Sequence, residues 1–139
     1  PGGSCLIRVP VCDSEAFEEY GEHWAQLDAP RHVFLYTNRS IELLARRHGL
    51  RIREVRDDST EFQFVASEQY RRGIPLVDSR SYYRSPLRRI LGSSVITGRE
   101  ARAYAERARA LNLEGRGDQR AYYLVRDDLP SADARAASA

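Results

Sequence analysis

Residues 23–36 hold the side chains best suited to chemistry. They include the only tryptophan, Trp24, the oppositely charged Asp28 and Arg31, two of the three histidines, His23 and His32, and Tyr36. A histidine ionises at about 6.5 when unperturbed, so His32 is suited to take a proton from a reacting hydroxyl or amine. Each residue also has a plainer role. His32 can fix its own loop by a hydrogen bond, Trp24 can pack in a core, and Asp28 can pair with Arg31 or cap a turn. His23, His32 and His48 do not fall at metal-ligand spacing on any predicted element, so no metal site is expected. Cys5 and Cys12, seven residues apart, fit neither a zinc knuckle nor a redox pair. Cys5 lies in an apolar run, where a small buried thiol is expected.

The elements that must position this loop follow from periodicity and punctuation. Pro1-Gly2-Gly3 reads as a tight turn, and Cys5-Leu6-Ile7-Arg8-Val9 as a buried strand stopped by Pro10. Opening on a turn hints at a portion upstream. Asp13-Ser14 can cap a short helix over Glu15 to Tyr20, ended by Gly21. His23 to Tyr36, with its Ala29-Pro30 turn, is then a long irregular loop, a class of segment that often carries function. Thr37 to Gly49 is the clearest helix. Thr37 or Asn38 is its N-cap, Ile41, Leu44, Ala45 and His48 form one face, and Gly49 ends it. Leu50 to Arg56 alternates apolar residues with arginines, as an edge strand does. Thr60 to Arg72 predicts a helix with Phe62, Val65, Ala66 and Tyr70 on one face and Phe64 off it. Residues 73–96 read as irregular, apart from a short turn over Leu87 to Leu91, and Tyr82-Tyr83 read as packing residues rather than a lid. Thr97-Gly98-Arg99-Glu100 is a capping box that opens a helix over Arg99 to Leu111. Gly115 to Asp118 is a turn, Ala121 to Val125 a strand, and 131–139 a disordered tail.

Composition bounds the partners. The chain has 139 residues, 42% hydrophobic and 30% charged, which suits one domain or one large piece of a domain. No apolar run approaches the roughly 20 residues of a membrane span, so no membrane partner is expected. All 22 basic residues are arginine, yet the net charge is only +2. The arginines interleave with acids, as in Arg51-Ile52-Arg53-Glu54-Val55-Arg56, which predicts a solvated, ion-paired surface rather than a nucleic-acid footprint. A reducing, cytoplasmic setting is the default for such a chain.

Several stretches together resemble a family. They are Pro1-Gly2-Gly3 leading into Leu6-Ile7-Arg8-Val9-Pro10, the run Trp24-Ala25-Gln26-Leu27-Asp28-Ala29-Pro30-Arg31-His32-Val33, and Tyr36-Thr37 before Ser40-Ile41-Glu42-Leu43-Leu44 and His48-Gly49-Leu50. The chain is similar to the C-terminal half of class I, Rossmann-like S-adenosylmethionine-dependent methyltransferases, in the subgroup with a Leu-Asp-x-Pro-Arg-His loop. The Leu27-to-His32 run, followed at the right distance by the capped helix, is its most specific part. Residues 1–75 carry the likeness, and the final strand fits by position only.

The resemblance implies an α/β fold whose seven-stranded sheet has the order 3-2-1-4-5-7-6, with strand 7 antiparallel. Cys5 to Val9 becomes strand 5, Leu50 to Arg56 strand 6 and Ala121 to Val125 strand 7. Residues 1–130 become the C-terminal portion of the domain, with a helical insert over 57–117. The family's cofactor residues, a Gly-rich loop after strand 1 and an acid ending strand 2, are not in this chain, so no cofactor is expected to bind it alone. The acceptor side carries over. Trp24, Asp28, Arg31 and Tyr36 are expected to shape a pocket for a small-molecule or sugar-derived acceptor, with His32 as the base. With strand 4 missing, one edge of residues 5–9 is left bare, and a homodimer through that edge is expected. The rival readings are a non-catalytic interaction module that keeps the back half of the fold and, more weakly, a nucleic-acid-binding fragment that uses its arginines.

Overall fold

A computed structural model of the protein describes residues 3–28, 30–84, 86 and 94–127. The start of the Pro1-Gly2-Gly3 turn, Ala29 of the Ala29-Pro30 turn, the turn over 87–91 and the 131–139 tail lie outside the described residues. The rest is a mixed α/β arrangement of one three-stranded antiparallel sheet and four helices. Strand β1 spans Ser4–Pro10, β2 Leu50–Asp57 and β3 Gln119–Arg126. The order is β1-β3-β2, so the last strand among the described residues lies in the middle, antiparallel to both neighbours. Strands β1 and β2 therefore run the same way on either side of it. Among the described residues β1 pairs with β3 alone, and its other edge carries no strand.

Helix α1, Glu15–Tyr20, follows β1, with the Ser14 hydroxyl accepting from the Phe17 N–H. Two short 3-10 turns, Gly21–His23 and Ala25–Leu27, then carry the loop. Helix α2, Asn38–Arg47, opens on a capping box in which Thr37 and Ser40 each satisfy the other's backbone N–H. It lies on the sheet face that presents Ile7, Val9, Tyr122, Leu124, Leu50 and Ile52, burying Ile41 and Ala45 there. Ile41, Leu44, Ala45 and His48 do face the sheet, as their spacing predicts. Helix α3, Phe62–Arg71, and helix α4, Gly98–Glu114, follow β2, and α4 opens on the Thr97–Glu100 capping box. With α1 they enclose a second core of Ala16, Tyr20, Trp24, Phe64, Ala108 and Leu111.

Three sequence expectations are corrected. The run from Cys5 to Val9 is not a buried strand: no residue of β1 is buried, Cys5 and Leu6 are exposed, and the strand includes Pro10, because β1 lies at an edge of the sheet. On α3 the residues from Gln63 to Gln69 are all buried, while Phe62 and Tyr70 are only partly so. The helix is enclosed by α1, the 3-10 turns and α4, so no single stripe marks it, and Phe64 is a fully buried core residue. In β2 the alternation breaks at a bulge between Ile52 and Glu54. The extra residue turns Val55 and Asp57 onto the α2 face, opposite Tyr122 and Arg120.

Candidate functional site

The carboxyl ends of β1 and β2 meet the start of β3, and ligands of open α/β sheets bind at such an end. Arg120, in β3 and buried, fixes this junction. Its Nε donates to Asp57 Oδ1 at 3.0 Å, one terminal nitrogen reaches Asp13 Oδ1 at 3.4 Å, and the other donates to the Gly115 carbonyl. One guanidinium thereby ties the end of β2, the chain leaving β1 and the end of α4. Asp57 Oδ2 accepts from the Gly117 N–H at 2.9 Å. Burial pushes the Asp57 carboxyl up, more than Arg120 and the Gly117 N–H pull it down. Gly117 is needed by space, since a Cβ there would stand 2.6 Å from both Asn112 Oδ1 and Ser59 Oγ.

On the sheet face away from α2, the junction opens as a cleft of about 130 Å³ lined by Arg8, Gln26, Asp58, Ser59, Thr60, Phe62, Gln63, Asp118 and Gln119. Asp118 forms its back wall. It is buried, and its Oδ2 accepts from the Trp24 indole N–H at 3.0 Å. Burial raises its pKa above the ordinary 3.8, against hydrogen bonds from Trp24 and Ser59. Arg8 Nε donates to Asp58 Oδ2 at 2.6 Å across the mouth. Gln26 Nε2 donates to Gln119 Oε1 at 2.9 Å. Gln63 is buried, and its Oε1 has no hydrogen-bond partner.

The residues proposed from sequence do not converge. Trp24 is a core residue, edge-on to Phe17 with ring centroids 5.4 Å apart, and it reaches the site through Asp118. Asp28 adopts a left-handed backbone with φ 39° and pairs with Arg31 at 2.8 Å, the plainer of its two roles. The charges of Asp28 and Arg31 act on the Tyr70 phenol of α3, whose pKa is raised chiefly by burial. Tyr36 lines the apolar groove under α2, on the opposite face, and its carbonyl accepts from the Cys12 N–H at 2.8 Å. His32 Nδ1 lies 2.7 Å from the Gln26 carbonyl. A carbonyl only accepts, so Nδ1 carries the proton of the neutral ring and the lone pair is on Nε2. That bond fixes the loop and leaves Nε2 in the form a base requires. Gln26 is thus the link between loop and cleft, its carbonyl holding His32 and its amide lining the cavity.

Asp118, Gln119, Gln63 and the Ser59–Thr60 pair are missed by sequence reasoning because they come from two distant segments, 59–63 and 118–119, with no local motif. Among the described residues no group of three His, Cys, Asp or Glu side chains is placed to hold a metal, and no helix is long and apolar enough to cross a membrane.

The raised pKa of Asp118 has a definite consequence for stability. A carboxyl with a raised pKa binds its proton more tightly in the folded chain than in the unfolded one. Its contribution is therefore fully present below 3.8 and is lost as pH rises through the folded value. The stability of the wild-type chain minus that of Asp118→Asn is expected to fall as pH rises from about 4 to about 7. Urea denaturation of both proteins across that range checks it, and a difference that grows with pH contradicts it.

Compared with protein-family models, with curated proteins and with solved structures, the chain matches none.

Proposed function

We propose that this chain is the acceptor-side part of a Rossmann-like S-adenosylmethionine-dependent methyltransferase acting on a small-molecule or sugar-derived acceptor. The observation that carries the reading is the sheet. Two like-directed strands, β1 and β2, are joined through α2, and β3 is inserted antiparallel between them. That is the order and direction of strands 5, 7 and 6 in the resembled fold, with the bare edge of β1 where strand 4 would pair. The cleft at the carboxyl ends of β1 and β2, with His32 tethered through Gln26, supplies an acceptor side.

The residues present do not fit the methyl donor itself. The nearest Gly-x-Gly, Gly115-Arg116-Gly117, precedes a strand, and Gly117 is packed against Asn112, Ser59 and Asp57 rather than open to a ligand. This chain's own part is to hold the acceptor and to offer His32 Nε2 for its proton. The test is made in the longer protein that this reading requires. There His32→Ala is expected to lower turnover about a hundredfold or more with cofactor affinity unchanged, whereas this chain alone gives no heat with S-adenosylmethionine in calorimetry. Near-normal turnover of the variant, or micromolar binding by the chain alone, contradicts the reading.

A second reading, a non-catalytic interaction module, is favoured by apolar side chains left in the open. Val33 and Phe34 are 79% and 71% exposed, and Leu6 of the edge strand 57%. Under either reading β1 is proposed to pair with β1 of a second copy. A twofold axis at that edge makes one continuous sheet and brings together the two α2 grooves, lined by Ile7, Val9 and Leu44. Sedimentation is expected to show a dimer at high micromolar concentration, lost when a proline replaces Leu6. A monomer under those conditions contradicts it.

A further inference from the structure

We infer that the cleft between β1, β2, α3 and the start of β3 binds a neutral, hydroxyl-bearing ligand of the sugar type. The charged groups that line it are already engaged. Arg8 is ion-paired with Asp58, and the buried Asp118 carboxyl accepts from the Trp24 indole and the Ser59 hydroxyl. An anion would lose its water there beside Asp118, with Arg8, the one basic side chain of the lining, already paired. The remaining polar lining is neutral: the amides of Gln26, Gln63 and Gln119 and the hydroxyl of Thr60, with the Ser59 hydroxyl held between the Gln119 N–H and Asp118. Amides and hydroxyls both donate and accept, as the hydroxyls of a sugar do.

Gln63 points to an occupant independently of composition. It is 1% exposed, and its Oε1 has no partner, a costly state for a buried acceptor. Its amide makes only a long 3.4 Å contact to the Thr60 carbonyl. The terminal torsion of glutamine is soft, so a small rotation presents the oxygen to a ligand hydroxyl at the cleft wall. Phe62, partly buried on the same wall, offers a flat apolar surface for the C–H face of a ring. The inference deepens the acceptor reading above and rests on it for the biological role. Binding itself is read without a methyl donor, so loss of either claim leaves the other decidable.

The experiment is a heteronuclear NMR titration of the whole chain with methyl α-glucopyranoside, beside methylammonium chloride and sodium phosphate. The expected result is saturable shifts of the Gln26, Gln63 and Gln119 side-chain amides with the glycoside, at an affinity on the order of millimolar, and none with the two ions. Gln63→Leu is expected to weaken that binding about tenfold or more without lowering the thermal midpoint, since it removes an acceptor that has no partner. Gln26→Ala, which removes a lining amide from the loop, is expected to weaken it as well and keeps the test sound if the first variant folds poorly. No shift with the glycoside, shifts unchanged in both variants, or shifts with an ion instead would each overturn the inference.

Discussion

Arg120 is the side chain on which the rest of the arrangement depends. β3 follows β1 and β2 in the chain, yet it must enter between these two strands, which a helix already joins. Its first residues are held there by a buried guanidinium bonded to Asp57 across the ladder, to Asp13 beyond β1 and to the Gly115 carbonyl at the end of α4. Asp13 in turn accepts from the Asn38 N–H, and Asn38 Oδ1 accepts from the Tyr122 hydroxyl at 2.7 Å. The start of α2, the end of β2 and the middle strand therefore share one polar network. A buried charge of this kind is tolerated only when its partners are complete, and each partner fixes another element in place.

The two faces of the sheet then take different roles. On one face α2 packs against the apolar residues of all three strands. On the other, the junction leaves room for a cleft whose back wall, Asp118, is anchored by a tryptophan from the loop after β1. The same loop is stapled to α3 by the Ala25 N–H to Ser67 Oγ bond of 2.9 Å, and α4 is held against the end of β2 by Asn112 bonding both backbone groups of Ser59. The helices between β2 and β3 do not merely bridge the two strands. They carry Gln63, close the core around Trp24 and Phe64, and so set the shape of the cleft.

The elements with local punctuation were legible in the sequence. Ser14, Thr37 and the Thr97–Glu100 box mark helix starts by side chains that satisfy backbone N–H groups within three residues, and the structure places each helix there. Strands over Cys5 to Val9, Leu50 to Arg56 and Ala121 to Val125 were legible, and the edge position of Leu50 to Arg56 from its arginines. What depends on distant partners was not legible. The bulge at Arg53 is invisible to an alternation rule that it breaks, and α3 has no stripe because it is covered on nearly every side. In the site, Trp24 and His32 were visible as residue types, but their partners, Asp118 and the Gln26 carbonyl, are set by folding. Asp118 reads as a turn residue until Trp24 is brought to it from the far end of the chain.

A double-mutant cycle at Arg120 and Asp57 tests most directly whether this ion pair holds the junction together. Arg120→Met and Asp57→Asn are each expected to lower folding stability, by up to about 3–5 kcal/mol, because each takes the nearer charged partner from a buried group, leaving Arg120 only Asp13 and the Gly115 carbonyl, or Asp57 only the Gly117 N–H. The double variant is expected to lose clearly less than the sum, with a coupling on the order of 1–3 kcal/mol in denaturant unfolding. Two losses that simply add, within about 0.5 kcal/mol, would contradict the account and leave the junction held by packing alone.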